Sequence, residues 1–226
     1  MIYYDQRGSG NSQIKPDPAY YTVDQLVEEL ETIRREVIGA ERIIVIGHSA
    51  GGALAQRYRL SYSGHVESMI LVSSVQINNG VNSPLVWDVF GPALFVLGAG
   101  FPPADAETAN EWFMRIMLTS SLPRLYDLGN QSLIEDSGYI PFATWREVSR
   151  SLEGADFKEE LRQLPVRTLV IYGMADADYT GEANATALCT LLPDCTLVGF
   201  ERSGHWAFLE EPERSAEEVM TFLAGR

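Results

Sequence analysis

Residues that bind transition metals are scarce in this sequence. It contains two cysteines and three histidines among 226 residues. Because no pair of histidines lies near Cys189 and Cys195, we expect no metal site, and we expect no cofactor. The cysteines are six residues apart in the chain, close enough for a disulfide, but nothing in the sequence requires one. We interpret them as reduced side chains, which favours a cytoplasmic protein.

Basic residues and long apolar runs are scarce as well. The chain has 17 lysines and arginines against 31 aspartates and glutamates, a formal net charge of −14 at pH 7. A surface of this sign repels phosphate backbones and anionic lipids, so nucleic acids and membranes are not expected partners. No apolar stretch reaches transmembrane length, and no signal peptide is recognisable.

Apolar residues make up 46% of the chain, enough for one sizeable core. Short β-branched runs alternate with stretches in which apolar residues recur at helical spacing. This alternation predicts an α/β fold with a mostly parallel sheet covered by helices on both faces. The predicted strands are residues 1–4, 42–46, 66–72, 164–173 and 195–200. The predicted helices are residues 22–38, 52–61 and 212–223.

Ser49 stands where a predicted strand meets a predicted helix. It is the centre of the pattern Gly47-His48-Ser49-Ala50-Gly51. A strand that turns directly into a helix exposes the residue at the turn, and its neighbours are small because the turn leaves no room for side chains. The N–H groups that open the helix can bind an oxyanion beside that hydroxyl. We therefore predict Ser49 as a nucleophile and the backbone N–H of Ala50 as an oxyanion donor.

A serine nucleophile needs a general base and an acid that orients the base. Asp176 and His205 each follow a predicted strand, in the chain order Ser, Asp, His. Singly, such residues are more often turn or capping residues, but parallel strands bring their carboxyl ends to one edge of the sheet, so we expect the three side chains to meet there. Asp178 is the competing acid, because it lies in the same loop. His48 flanks Ser49 in the sequence and is expected to support the site without contacting the substrate.

Several segments together resemble the α/β-hydrolase superfamily. They are residues 5–12, 47–52 and 203–205, with residues 210–213 opening the last helix. The string Asp-Gln-Arg-Gly-Ser-Gly at residues 5–10 is most similar to the proline iminopeptidase branch and its esterase neighbours. The resemblance runs over essentially the whole chain except its middle. It implies Ser49 as the nucleophile, His205 as the general base and acid, and Asp176 as the orienting acid.

In the middle of the chain the alternation of strands and helices stops for about ninety residues. This segment is rich in aromatic residues, and apolar residues recur at helical spacing in residues 106–118 and 142–152. In the superfamily a helical cap covers the nucleophile at this point. We therefore predict residues 77–159 as the cap and residues 1–76 and 160–226 as the hydrolase core. A single aromatic residue is best interpreted as packing, but as a group they predict an apolar, partly covered substrate site.

The sequence departs from the family pattern in two places. No proline follows Asp176 in its loop, where the family usually has one. In the family, three strands and a His-Gly loop that gives the second oxyanion N–H precede the Asp-Gln-Arg-Gly string, and none is found ahead of Met1. Either the hydrolase is N-terminally shortened or its true start lies upstream. A shortened sheet is expected to pair residues 1–4 with the strand before Ser49, or to pair its open edge with a second copy in a homodimer.

The predicted chemistry is acyl transfer to water through a covalent acyl-enzyme on a small-molecule acyl substrate. Hydrolysis of a carboxylic ester is the first prediction. The second is a proline iminopeptidase-like aminopeptidase, in which a cap carboxylate binds the free amine of the substrate, although acidic residues on exposed helices are usually only solvated. The candidates for that carboxylate are Asp105, Glu107, Glu111, Glu135 and Asp136. The third is a protein of the same fold that binds a ligand without turnover.

Overall fold

The computed structural model describes residues 1–15, 17–74, 104–135, 140–151, 156–163, 165–176 and 180–225. Four parallel strands in this part of the chain form one sheet, in the order β1 (Ile43–His48), β2 (Val66–Val72), β3 (Arg167–Gly173) and β4 (Cys195–Phe200). The helices are α1 (Val23–Thr32), α2 (Ala50–Ser61), α3 (Ala106–Ser121), α4 (Gln131–Glu135), α5 (Phe142–Ser151), α6 (Lys158–Gln163), α7 (Glu182–Leu191), α8 (Ala207–Glu210) and α9 (Pro212–Ala224). None of these helices combines the length and the apolar character that a bilayer span requires.

Helices pack on both faces of the sheet because successive strand residues point to opposite faces. On one face, Met69 and Leu71 of β2 belong to a core that includes residues of α1, α2 and α7. On the other face, Ile70 of β2 and Leu169 of β3 pack with Phe222 of α9. The central strands are buried on both faces, which explains their nearly continuous apolar sequence. The predicted α/β fold with a parallel sheet is confirmed.

The helix predicted over residues 22–38 is present, with a change of pitch near its end. Thr22 caps α1 by accepting a hydrogen bond from the backbone N–H of Gln25 at 3.3 Å. The helix continues as a π-helical turn over Ile33–Ile38. This turn is capped by Gly39, whose φ is 68°. Glycine suits this left-handed position because it has no Cβ to clash with the backbone.

A buried ion pair near the end of α1 is linked to α2 by a hydrogen bond. Arg34 Nη2 lies 2.7 Å from Glu31 Oε1, and the hydroxyl of Tyr58 in α2 donates to Glu31 Oε2 at 2.8 Å. All three side chains are buried. The hydrogen bond from Arg34 lowers the pKa of Glu31 to about 2; burial opposes this, and the hydrogen bond from Tyr58 adds to it. Glu31 is therefore ionised at neutral pH; Tyr58 links it to α2, and Arg34 stabilises its charge.

The residues between β2 and β3, called the insertion below, carry helices α3 to α6. Phe113 of α3 and Trp145 of α5 have ring centroids 5.0 Å apart, within a small apolar cluster of their own. The insertion reaches the rest of the protein where Thr144 Oγ1 donates to Gly8 O at 3.1 Å. Aromatic residues that pack helices in this cluster are Trp112, Phe113, Phe142 and Trp145. The division into core and cap stays a prediction, and residues 75–103, with Trp87, Phe90, Phe95 and Phe101, lie outside the described residues.

The strand predicted at residues 1–4 is not present. Met1 and Tyr3 are each 85% exposed, and among the described residues no strand lies beside the outer edge of β1. Ile46 of β1 is correspondingly 45% exposed. A strand is stable only when a neighbour pairs with its N–H and C=O groups, so an apolar and aromatic composition alone does not form one.

The prediction of reduced cysteines was wrong. Cys189 near the end of α7 and Cys195 at the start of β4 form a disulfide, with Cα atoms 5.5 Å apart. The turn at residues 192–194 reverses the chain and brings the two side chains within bonding range, which the sequence separation alone did not determine. The prediction of a cytoplasmic protein rested on reduced thiols and loses that support.

Candidate active site

Ser49 occupies a strained turn between β1 and α2. Its backbone has φ 52° and ψ −121°, a region that residues other than glycine rarely adopt. The turn is held by hydrogen bonds from Ser49 N to Val72 O and from Gly52 N to Ser49 O, both 3.0 Å long. Ser49 is half-buried and lies at the carboxyl edge of the sheet. Ala50 begins α2, where the first N–H groups have no acceptor within the helix, so its N–H suits an oxyanion.

Close packing of the backbone explains the small residues around Ser49. A Cβ on Gly47 would lie 2.4 Å from the carbonyl oxygen of Gly51. A Cβ on Gly52 would lie 2.0 Å from Ser74 Oγ. Real side chains do not approach so closely, and a larger residue at either position would open the turn. The observed strand, tight turn and helix agree with those predicted here from the sequence.

The loops that follow β3 and β4 pack directly on each other. A Cβ on Gly173, the last residue of β3, would lie 2.0 Å from Gly204 O. A Cβ on Gly204 would in turn lie 1.8 Å from Arg124 O. Glycine at both positions lets the backbones touch, and this contact places Asp176 beside His205.

Asp176 and His205 form a buried hydrogen-bonded pair. Asp176 Oδ2 lies 2.8 Å from His205 Nδ1, and the two side chains are 0% and 3% exposed. Burial opposes ionisation of the carboxyl, but the hydrogen bond with His205 and the charges of His205 and Arg124 outweigh it and lower the pKa of Asp176 to about 2. Burial lowers the pKa of His205, although Asp176 acts in the opposite direction. At neutral pH the pair is therefore a carboxylate and a neutral imidazole, the resting state that general-base chemistry requires.

His48 links the serine turn to His205. Its Nε2 lies 2.8 Å from His205 O, and the two ring centroids are 4.6 Å apart. Burial, followed by the charge of His205, lowers the pKa of His48 to about 3, so the ring is neutral and its Nε2–H donates to the carbonyl. Among the described residues no hydrogen bond joins Ser49 Oγ to His205. In hydrolases without bound substrate this bond is often open and closes on binding.

Arg124, from the insertion, reaches the same pair. It ends a short 3-10 turn, Leu122–Arg124, that follows α3. Its Nε lies 3.1 Å from Asp176 Oδ1, and its Nη2 donates to Thr180 Oγ1 at 2.7 Å and contacts His205 Nδ1. Its carbonyl oxygen accepts a hydrogen bond from His205 N at 2.7 Å. Both the side chain and the backbone of Arg124 therefore hold the pair in place.

Two glutamates hold the loop that precedes the histidine. Glu210 Oε2 accepts a hydrogen bond from Gly204 N at 2.7 Å, and its Oε1 accepts one from Tyr126 N at 2.8 Å. Glu211 Oε1 accepts a hydrogen bond from Ser203 Oγ at 2.8 Å. One carboxylate thus joins the loop to the insertion, and the other fixes it to the start of α9.

Sequence analysis did not identify Arg124, Thr180 or the contacts of Glu210. Arg124 is separated from Asp176 by 52 residues and from His205 by 81. It belongs to no motif, and the weak signal that exists is an arginine directly after a proline, in the short 3-10 turn that follows α3. The competing acid, Asp178, lies outside the described residues. Among the described residues, no group of three or more His, Cys, Asp or Glu side chains could hold a metal ion.

Comparison with known proteins identifies the class to which this fold and site belong. The sequence profile described as the alpha/beta hydrolase family matches residues 2–218, and the chain belongs to that family. Its curated relatives include proline iminopeptidases.

Two relatives match the chain over almost its whole length. It is 27% identical over 239 residues to the proline iminopeptidase of Saccharolobus solfataricus. The alignment covers 99% of this chain and 75% of that protein. It is 28% identical over 234 residues to the 2-hydroxymuconate semialdehyde hydrolase of Pseudomonas putida. This alignment covers 99% of this chain and 76% of that protein. The chain thus spans about three quarters of the length of these relatives.

Solved structures agree on the fold. An alpha/beta fold family hydrolase from Bacillus anthracis str. Sterne superposes with a TM-score of 0.78 at 19% identity, covering 96% of this chain and 80% of that chain. A thermophilic esterase from Thermogutta terrifontis superposes with a TM-score of 0.73 at 20% identity, covering 98% of this chain and 78% of that chain.

Proposed function

We propose that this protein is a serine hydrolase that transfers an acyl group to water through a covalent acyl-enzyme. The observation that carries the proposal is the buried Asp176–His205 pair at the same sheet edge as the strained turn of Ser49. A strained backbone and a buried, ionised carboxylate both lower stability, and they are typical of sites where chemistry requires them.

The mechanism follows from the position of each group. Ser49 Oγ attacks the carbonyl carbon of the substrate while His205 Nε2 removes the hydroxyl proton, and the Ala50 N–H donates to the oxyanion. Asp176 accepts the Nδ1–H of His205, which fixes the tautomer and stabilises the imidazolium. The bond from the carbonyl carbon to the leaving group then breaks, and the imidazolium gives its proton to that group. Water attacks the acyl-enzyme with His205 again as base; the ester bond to Ser49 breaks, and the imidazolium returns the proton to Ser49 Oγ as the acid leaves.

We propose a carboxylic ester or a related acyl compound as the substrate. Support comes from the contacts of the cap carboxylates that an aminopeptidase would use on a free amine. Asp105 is the N-cap of α3, where its Oδ1 accepts a hydrogen bond from Thr108 N at 2.8 Å. Glu107 and Glu111 are exposed on the same helix. None of these three is held in a buried site, and nothing is described of the side chains of the other two candidates, Glu135 and Asp136.

An aminopeptidase of the proline iminopeptidase type is the second candidate. The relative from Saccharolobus solfataricus carries that name and matches 99% of this chain. The two candidates share Ser49, His205 and Asp176 and differ only in the leaving group and in what binds it.

A fluorophosphonate probe tests the nucleophile. We expect the wild type to be labelled once per chain, Ser49→Ala to lose both labelling and hydrolysis, and Ser61→Ala to keep both. Ser61 is the matched control because it is an exposed serine on the same helix. Labelling of Ser49→Ala at the wild-type rate would remove Ser49 from the mechanism. A wild type that binds ligands but is neither labelled nor active would support the non-catalytic alternative.

A substrate panel then separates the two hydrolase candidates. Short and long p-nitrophenyl esters are compared with prolyl p-nitroanilide by kcat/KM. Faster turnover of the esters supports the proposal. Faster turnover of the prolyl compound reassigns the protein to the aminopeptidases.

A further inference from the structure

We propose that Arg124 is a positioning residue for the Asp176–His205 pair, and that its fixed positive charge sets the lower pH limit at which His205 works as a base. This inference rests on the proposed serine hydrolase function. It assigns to the insertion a direct part in controlling the pair.

The geometry gives Arg124 one orientation. Its side chain is 12% exposed, and it shares the carboxylate of Asp176 with His205: Nε approaches Oδ1 at 3.1 Å, while His205 Nδ1 lies 2.8 Å from Oδ2. Thr180 Oγ1 accepts a hydrogen bond from Nη2 at 2.7 Å. The planar guanidinium is thus held at both ends, a fit that the flexible ammonium of lysine does not reproduce. With both of its oxygens bound, the carboxylate of Asp176 cannot rotate away from the imidazole.

The contact between Arg124 Nη2 and His205 Nδ1 acts through charge and not as a hydrogen bond, because both nitrogens are donors when Nδ1 carries its proton. Base catalysis requires the proton on Nδ1, directed at Asp176, so that Nε2 is free to accept the serine proton. When the ring gains a second proton, its positive charge lies against the guanidinium, which is charged at every accessible pH. Arg124 therefore opposes protonation of the ring: burial lowers the pKa of His205, and the charge of Arg124 adds to that effect. Asp176 acts in the opposite direction, so burial and the two charged neighbours determine the balance together.

The other titratable groups around His205 do not replace Arg124 in the described part of the chain. His48, at the end of β1, faces the ring but is neutral, because burial lowers its pKa to about 3. Glu210 and Glu211, where α8 ends and α9 begins, bind the preceding loop through Gly204 N and Ser203 Oγ. Asp176 and Arg124 are thus the two charges that contact the imidazole itself.

The test measures the rate of fluorophosphonate labelling of Ser49 between pH 4 and 9. Loss of a positive charge in contact with the ring is expected to raise the midpoint of the acid limb by about one to two pH units in Arg124→Met. Arg124→Lys restores the charge without the planar fork, so its midpoint returns close to that of the wild type while its plateau rate stays lower. Arg115→Met is the matched control, an exposed arginine on α3, and its profile is expected not to change.

Each outcome decides between the proposals. A lower plateau in Arg124→Met with an unmoved acid limb overturns the inference, because Arg124 would then act only on folding or on substrate binding. If Arg124→Met does not fold, as shown by thermal unfolding, Arg124→Gln provides a second neutral variant; failure of both to fold assigns Arg124 a structural role and also overturns the inference. Labelling of Ser49→Ala at the wild-type rate would reject the serine mechanism itself, independently of any Arg124 result.

Discussion

At the scale of single residues, the candidate site depends on a buried carboxylate that has more than one partner. Asp176 is fully buried, and removing a carboxylate from water destabilises the fold by several kcal/mol unless charges and hydrogen bonds replace the water. Arg124 and His205 each bind one of its oxygens. The same arrangement keeps the imidazole in one orientation, so the groups that stabilise the charge also orient the ring of His205.

The orienting acid is tested by substitution of each aspartate in its loop. Asp176→Asn keeps the shape of the side chain but allows the wrong tautomer of His205, so we expect kcat to fall by about 10⁴-fold. Asp178→Asn is the matched control and is expected to leave kcat nearly unchanged. Steady-state kinetics on the best ester of the panel provide the measurement, and the reverse ranking would transfer the role to Asp178.

Gly204 is the glycine with the least room beside the candidate site. A Cβ there would lie 1.8 Å from the backbone oxygen of Arg124, which cannot move without shifting the insertion. We expect Gly204→Ala to destabilise the protein by about 1 to 3 kcal/mol through overpacking and to slow labelling of Ser49. Gly64→Ala is the control, because no atom lies within 4 Å of its added Cβ. Urea unfolding measures both variants, and equal stability for the two would contradict the close contact.

At the scale of secondary-structure elements, the loops at the candidate site are set by backbone contacts, whereas α1 and α2 are also linked by a buried side-chain charge. The loops after β3 and β4 touch at Gly173 and Gly204 with no side chain between them. By contrast, α1 and α2 meet through Glu31, which binds Arg34 of the adjoining π turn and Tyr58 of α2. The backbone contact between the loops has no group that titrates, so its stability does not depend on pH. The contact through Glu31 depends on the charge of a carboxylate and is therefore sensitive to pH.

The α1–α2 contact predicts a loss of stability in acid. Hydrogen bonding from Arg34 lowers the pKa of Glu31 to about 2 in the folded protein, from an ordinary value of 4.5. The folded pKa lies below the unfolded one, so the stabilisation is complete above about pH 4.5 and is lost as the pH falls towards 2. We therefore expect Glu31→Gln to lower the urea midpoint clearly at pH 7 and to resemble the wild type near pH 2.

A surface pair provides the control for that measurement. Glu36 pairs with Arg35 on the same segment, but both side chains are about 60% exposed. Such pairs contribute little because water screens them, so Glu36→Gln is expected to leave the midpoint unchanged at both pH values. An equal effect of the two substitutions would show that the buried pair has no special role.

At the scale of the whole molecule, the outer edge of β1 has no pairing strand among the described residues. Ile46 of that strand is 45% exposed. Unpaired strand edges associate readily with other strands. We therefore keep the proposal that this edge is covered either by further strands of a hydrolase sheet or by a second copy of the chain.

Adding strands tests that proposal. In this test, the first three strands of a related hydrolase, with their oxyanion loop, are fused ahead of Met1. Turnover per labelled Ser49 is then compared between the fused and the present chain. A second oxyanion donor is worth about 10² to 10³ in kcat, so we expect a gain of that order together with a change from dimer to monomer in sedimentation. An unchanged rate with monomers in both cases would mean that a backbone N–H of the present chain already completes the oxyanion site.

Local patterns in the sequence were sufficient to predict most of the elements around the site. The strand Val66–Val72 and the strand Cys195–Phe200 were predicted with the bounds that the structure has, and the last helix to within one residue. The turn at Ser49 was predicted because its glycines are needed by the turn itself, within a few residues. Strand composition, helical spacing and turn residues act over short stretches of chain, so they can be recognised without the rest of the fold.

Only the tertiary structure decided which distant groups meet. The failure of residues 1–4 to form a strand depends on what lies beside β1, and the disulfide depends on how the turn between α7 and β4 reverses the chain. The same holds for Arg124, which reaches Asp176 and His205 across 52 and 81 residues of sequence. The contacts of Arg124 arise when the insertion packs on the edge of the sheet. By itself the sequence determined which candidate residues follow the strands, Ser49, Asp176 and His205, and so the chemistry that we propose. The packing determined which charge lies against the imidazole, because a buried charge has its effect only over the few ångströms that folding creates.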